Sequence, residues 1–330
     1  MKANVYCDMT GTASSWVAQQ VVQGLLQAGH DVAVVPLEVS PGCVAALAAN
    51  QHEPLAQAVK VVVRPLVRLS EELCKGAVVV TLWESDALTP EQVTMLKAAR
   101  GVVVPCEWLA KVMRGYGILV KVARFGVDED VYTPDLRSFP KRTVFLAAGR
   151  TAHGRRRKGV DLVMSAFLLA FPDEADVVLQ VKTDADCPLM EVTSSRIQVI
   201  RERLSPMTMA SWYRQGLVFV SGAACEAWGL HGHEAMACGK PLISPAFGGV
   251  MEYFEPGLNG WAVHSKPVRS EFGVGKWAEP NVAHMAELMR KVYEQPVVAF
   301  LRGLEAARSV EALTLGLMRK EHVTAIRQYA

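Results

Sequence analysis

Residues 226–238 read Glu-Ala-Trp-Gly-Leu-His-Gly-His-Glu-Ala-Met-Ala-Cys. Two carboxylates, Glu226 and Glu234, therefore stand eight positions apart, the first ahead of a glycine turn and the second at the start of a small-residue helix. An ionised Glu only accepts hydrogen bonds, so a pair of them in one pocket suits a neutral ligand rich in hydroxyl donors. Gly239-Lys-Pro-Leu-Ile-Ser and Gly248-Gly249-Val-Met-Glu252 follow, and glycine turns of this kind bring backbone N–H groups against a phosphate at a helix N-terminus. Good helix formers at Ala235, Met236 and Ala237, together with the helix macrodipole, would by themselves favour a Glu at position 234. Propensity does not account for the second carboxylate and two glycine turns arriving with it.

A bound phosphate calls for fixed positive charge, and cations held in a dry cleft supply it without reorganising. Arg150 and Lys158 stand in Gly149-Arg-Thr-Ala-His-Gly-Arg-Arg-Arg-Lys158-Gly159, a loop between an apolar strand at 143–148 and a helix at 160–171. Arg155, Arg156 and Arg157 lengthen and enrich this loop. A charge run is ordinarily a solvated surface, so both that role and phosphate contact stay open for the triplet.

The Glu226 to Glu234 spacing, the Gly149-Arg150 to Lys158-Gly159 loop, the Gly248-Gly249 to Glu252 passage and Phe125-Gly-Val-Asp128 with Tyr132-Thr-Pro134 resemble the retaining, sugar-nucleotide-dependent glycosyltransferases of family 4. The resemblance implies the GT-B fold: two Rossmann-like, doubly wound α/β domains facing a central cleft. It implies that Glu226 meets the transferred sugar, that Glu234 meets the nucleotide ribose, and that Arg150 and Lys158 hold the diphosphate. Gly149, Gly248 and Gly249 would lie against the donor, and Glu252 matches the Glu that follows the glycine pair. Gly11 falls where the family's early glycine loop faces the donor phosphates and the acceptor, although an ordinary strand-to-helix turn also favours glycine there. Trp83-Glu84-Ser85-Asp86 follows an apolar strand at 77–82, and ligands gather at the carboxyl ends of parallel strands. Many members carry His near this point, whereas this chain has Glu84, expected on the acceptor side or as a cap of the next helix.

No cofactor is expected beyond the nucleotide sugar as co-substrate, and no metal. Asp184-Ala-Asp186 spells the metal motif of the unrelated GT-A fold, but it falls between early strands of the second half, where a loop carboxylate pair is the plainer reading. His231-Gly-His233 lacks third and fourth ligands at usable spacing, and these histidines either tune donor choice or pack.

The elements that must position these residues alternate strand and helix. Apolar runs at 59–63, 77–82 and 101–104 and the unit from Val5 through Gly29 to Pro36 predict a parallel sheet in the first half. Strands at 143–148, 176–181, 197–200, 218–221 and 241–244 predict a second, and 296–330 is helical in pattern. The expected division is residues 1–138 as an acceptor domain, 139–312 as a nucleotide-sugar domain and 313–330 as a helix returning to the first domain.

At 330 residues, with 51% hydrophobic and 21% charged content and no apolar run of membrane-spanning length, the chain suits two folded lobes. The N-terminus lacks the charged and apolar regions of a signal peptide, and seven cysteines without metal or disulfide spacing suit a reducing, cytoplasmic setting. Lys and Arg number 12 against 14 Asp and Glu up to Arg137, then 23 against 19. That mild basic bias suits a diphosphate and falls short of a protein that wraps nucleic acid by charge alone. The expected activity is same-face transfer of a sugar from a nucleotide diphosphate sugar to an acceptor hydroxyl, a donor phosphate oxygen helping to take the acceptor proton. A hydroxymethylated DNA base, a glycan, a lipid and a small molecule all remain open as acceptor, as does the oligomeric state. A sugar-nucleotide epimerase, a phosphorylase on the same fold, or a non-catalytic nucleotide- or nucleic-acid-binding module are the alternatives.

Overall fold

Short runs of β-branched residues set the strands. In a computed structural model that describes residues 1–10, 12–39, 45–135, 142–149, 155–184 and 194–330, the chain divides into two units, Met1–Gly126 with Leu313–Ala330 and Val127–Ala312. The expected boundary at 138 lies outside the described residues. No helix among the described residues is long and apolar enough to cross a membrane.

The first unit holds β1 (Lys2–Met9), β2 (Asp31–Val39), β3 (Val59–Val63), β4 (Val78–Val80), β5 (Gly101–Val104) and β6 (Val120–Val122), all parallel, in the order β2-β1-β3-β4-β5-β6. Val78–Val80 and Gly101–Val104 are buried throughout, as a sheet covered on both faces requires. β6, only Val-Lys-Val, is too short to stand out in the sequence.

The helical tail is two helices, Pro296–Val310 and Leu315–Arg327, because Thr314 caps the second by accepting from the Leu317 N–H. The last helix belongs to the first unit and lies on the helix Ala13–Gln27, where Arg319 donates to Gln20 and Gln23 at 2.8 Å and a Cβ on Gly24 would meet Arg319 Cβ at 3.0 Å. Glu321 accepts from the Arg124 backbone N–H at 2.7 Å, and the buried His322 ring stacks on Phe125.

The second unit holds β7 (Thr143–Ala148), β8 (Val177–Lys182), β9 (Ile197–Ile200), β10 (Val218–Val220), β11 (Leu242–Pro245) and β12 (Gly260–Val263), parallel and ordered β12-β11-β10-β7-β8-β9. Chain direction across the sheet reverses between β7 and β10, which are hydrogen-bonded neighbours. That reversal opens a crevice at the carboxyl ends of the two strands. Phe145, Phe167 and Phe171, with ring centroids 5.3 to 6.3 Å apart, anchor the core beneath it.

An antiparallel hairpin, β13 (Ser265–Arg269) and β14 (Lys276–Pro280), is absent from the sequence reading because its first strand is polar, exposed and interrupted by Pro267. Buried Trp277, with Phe272 edge-on to it, holds the hairpin in place.

Gly126 is the tightest point in the anchoring of the last helix, since a Cβ there would stand 1.9 Å from the Thr314 carbonyl oxygen. Gly126→Ala is expected to destabilise by about 1 to 3 kcal/mol, the scale of overpacking, and thermal melting should show a fall of several degrees. An unchanged melting temperature would contradict the close approach.

Candidate functional site

Two loops meet at the β7/β10 reversal. After β7 the chain returns as a helical turn, Arg155–Lys158, and Gly159 then caps the helix Val160–Ala170 in the left-handed conformation at φ +56°. After β10 comes Ser221-Gly222-Ala223-Ala224-Cys225-Glu226. A Cβ on Gly159 would stand 2.0 Å from the Gly222 carbonyl oxygen, and one on Gly222 would stand 2.1 Å from that of Gly159. Only glycine at both places allows this backbone contact. The Ala224 N–H then donates to Arg157 O at 2.8 Å, and on its other side the Ala278 N–H of β14 donates to Ala224 O at 2.9 Å.

This clamp sets Lys158 against Glu226. Lys158 Nζ donates to Glu226 Oε1 at 2.5 Å, and Arg157 Nη1 stands 3.9 Å from Oε2. Burial works to raise the Glu226 carboxyl, but Lys158 and then Arg157 outweigh it and hold it below the usual carboxylate range. The backbone under Glu226 is fixed as well. Gly249 donates its N–H to Glu226 O at 2.7 Å, and Cβ atoms on Gly248 and Gly249 would stand 2.7 Å from Glu226 O and 1.9 Å from Ala227 O. The expectation that this glycine pair offers N–H donors to a ligand therefore meets a different arrangement: the Gly249 N–H is already engaged, and both glycines permit close approach. Glu252 ends the same 3₁₀ turn, Gly248–Glu252, at its C-terminal end.

Glu234 lies in the second turn of the helix Leu230–Ala237, not at its start, because Gly229 at φ +88° begins the helix at once and leaves no acidic residue in its first turn. The macrodipole is thus a weak reason for a carboxylate at this position. The buried Tyr213 hydroxyl donates to Glu234 Oε2 at 2.7 Å and lies 2.9 Å from His231 Nδ1. Tyr132, Lys182, Arg203, Ser205, His231 and Glu234 line an open cleft of about 530 Å³. Burial and then the Glu234 carboxylate push the hydroxyls of Tyr132 and Tyr213 well up, so both remain donors. Burial lowers the Lys182 ammonium, whose Nζ donates to Thr183 O at 2.9 Å.

His231 and His233 diverge. His231 is half exposed beside Glu234, whereas His233 is fully buried, accepts from Trp228 Nε1 at 3.0 Å and stacks on Tyr253, whose hydroxyl donates to Gly229 O at 2.6 Å. Gly149 ties β7 to β8, donating to Lys182 O at 3.1 Å and accepting from Thr183 Oγ1 at 2.9 Å. Arg150, Gly11 and Asp186 lie outside the described residues. Among the described residues no three His, Cys, Asp or Glu side chains converge as a metal-ion cluster.

Glu84, half-buried, belongs to the first unit and follows β4. The same sheet carries a charged group that sequence reasoning missed: fully buried Asp8, at the end of β1, accepts from Arg64 Nε at 2.9 and 3.1 Å and from Arg68 Nη1 at 3.3 Å. A lone Asp closing an apolar strand was the available signal. Tyr213 and Tyr132 were also missed, and Tyr213 had a weak one, since a Tyr on an amphipathic helix face needs a partner for its hydroxyl when buried.

Residues 142–272 match the family model for "Glycosyl transferases group 1". The D-inositol 3-phosphate glycosyltransferase of Arthrobacter sp. (strain FB24) is 23% identical over 229 residues, covering 64% of this chain and 51% of that protein. The α-maltose-1-phosphate synthase of Mycobacterium tuberculosis is 26% identical over 228 residues, covering 61% and 56%. The chain thus spans about half the length of the curated relatives it matches. Among solved structures, sucrose-phosphate synthase from Thermosynechococcus elongatus superposes with a TM-score of 0.71 at 16% identity over 99% of this chain and 98% of the other. HepE of Anabaena in complex with UDP and glucose gives 0.71 at 13% identity over 99% and 100%. The fold is GT-B, as the sequence resemblance implied.

Burial lowers the His233 imidazole from 6.5 to about 3, and that of His322 to about 4. Unfolded, both take up a proton near pH 6.5, so the unfolded state binds more protons below that pH and stability falls as pH drops from about 6.5 toward the folded values, by up to about 1.4 kcal/mol per pH unit for each group. Melting temperatures measured from pH 7 to 5 should fall, and His233→Gln should flatten the slope. A pH-independent melting temperature over that range would contradict neutral burial of the two rings.

Proposed function

We propose that the chain is a glycosyltransferase that takes a sugar from a nucleotide diphosphate sugar and transfers it to an acceptor hydroxyl. One observation carries this reading: a cation, Lys158, and a carboxylate, Glu226, are locked together at the strand reversal of a Rossmann-like sheet, where ligands of such sheets bind. A second carboxylate, Glu234, stands eight residues farther on, in the second turn of the following helix, and lines an open cleft. The match to group 1 glycosyl transferases over this unit supports the same reading.

In the proposed mechanism the diphosphate lies on Lys158 and Arg150, the sugar hydroxyls donate to Glu226, and the ribose hydroxyls donate to Glu234, whose Oε2 is already oriented by Tyr213. Charge building on the leaving diphosphate is stabilised by cations fixed before the reaction begins. Transfer on the same face of the sugar retains its anomeric configuration, with a donor phosphate oxygen helping to take the acceptor proton. The cationic loop supplies charge neutralisation, so the reaction needs no divalent metal and no further cofactor. The compartment proposed is the cytoplasm, in keeping with five described cysteines that are all buried thiols.

A panel of nucleotide sugars tested by thermal shift identifies the donor, since a ligand that binds only the folded state raises its stability. UDP-glucose is the first probe, HepE having been solved with UDP and glucose. Lys158→Ala should then lower transfer on the order of a hundredfold, the scale of losing one preorganised charge. Full activity in that variant would remove Lys158 from the diphosphate site. Activity should also survive EDTA; loss restored by manganese or magnesium would overturn the metal-free mechanism.

A further inference from the structure

The charge that a diphosphate would need is held by a carboxylate. Lys158 Nζ sits 2.5 Å from Glu226 Oε1, with Arg157 behind at 3.9 Å, and the three side chains are only 15 to 21% exposed. Neither backbone can shift to part them, because Gly159 and Gly222 are in backbone contact and Gly248 and Gly249 pack under Glu226. Only the side chains can exchange partners, and the lysine has the rotatable stem to do so.

We propose that Glu226 is a specificity gate that holds Lys158 until the hydroxyls of a bound sugar take its place, so that the site selects the intact nucleotide sugar over the free nucleoside diphosphate. This inference rests on the proposed donor site and deepens it.

The reasoning follows from what each ligand offers Glu226. A nucleoside diphosphate can draw Lys158 to its phosphates but brings nothing to the carboxylate left behind, and a poorly exposed charge that loses its 2.5 Å partner and keeps only Arg157 at 3.9 Å is costly. A nucleotide sugar brings hydroxyl donors to the same carboxylate, so Lys158 is released against new charge-assisted hydrogen bonds. After transfer the sugar is gone, Glu226 reclaims Lys158, and the nucleoside diphosphate is displaced. The gate therefore favours binding of the substrate and release of the product at one residue pair.

The test is calorimetry on the full chain with UDP and UDP-glucose, or with whichever nucleotide pair stabilises the wild type. Glu226→Gln keeps the shape and removes the charge. It should bind the nucleoside diphosphate on the order of tenfold more tightly than wild type, while its preference for the nucleotide sugar shrinks. In a Lys158→Met background the same substitution should bring no tightening, since the effect passes through the lysine. Glu226→Ala should show the same sign, which keeps the test open if the glutamine variant does not fold. Unchanged or weaker diphosphate binding by both Glu226 variants would overturn the gate and leave the donor site standing. Equal tightening with and without Lys158 would also overturn it, reducing the effect to plain repulsion. A folded wild type that binds no nucleotide would remove the donor site and the gate together.

Discussion

Backbone contact between Gly159 and Gly222 is the constraint on which the second unit's chemistry depends. Strand order fixes the neighbourhood, because β7 and β10 pair while the chain departs from them in opposite directions across the sheet. The two glycines then let the loops that leave these strands touch without side chains between them. A Cβ at either position would push Arg157–Lys158 away from Ala224–Glu226, and the Lys158 to Glu226 pair would not form. Hydrogen bonds from Ala224 to Arg157 and from Ala278 to Ala224 extend the clamp to β14, so a hairpin outside the sheet, through its largely buried second strand, stiffens the loop that carries Glu226.

Against this fixed background the two carboxylates acquire different characters from their surroundings. Glu226 is paired with cations, which suits an exchange of partners. Glu234 instead lies beside Tyr213, Tyr132 and His231, with the Tyr213 hydroxyl donating to it and orienting it. The same residue type, eight positions apart, thus serves two different hydrogen-bonding tasks in the proposed mechanism. Trp228, His233 and Tyr253, within or against the same motif, form an apolar and aromatic base that holds the Gly229 turn in place.

Much of the fold was legible because buried parallel strands such as Val78–Val80 and Gly101–Val104 are continuous apolar runs, and their alternation with amphipathic helices implies a doubly wound sheet. The hairpin was not legible, since Pro267 and exposed polar residues erase its alternation and only Trp277 marks it. The pairing of Lys158 with Glu226 was illegible for another reason: a motif gives the types of residue, whereas the contact depends on two loops 68 positions apart in sequence. The helix that carries Glu234 was legible but its start was not, because the left-handed conformation of Gly229 decides where that helix begins. The fate of the Gly249 N–H was likewise decided by a partner, Glu226 O, that no local pattern reveals.

The central claim is that one nucleotide site spans Lys158, Glu226 and Glu234. A crystal structure of the protein soaked with the nucleotide sugar that stabilises it most tests this directly. The account predicts the diphosphate within hydrogen-bonding distance of Lys158 Nζ, that ammonium no longer on Glu226, sugar hydroxyls on Glu226 and ribose hydroxyls on Glu234. Nucleotide bound elsewhere, or bound there with the Lys158 to Glu226 contact intact, would contradict it.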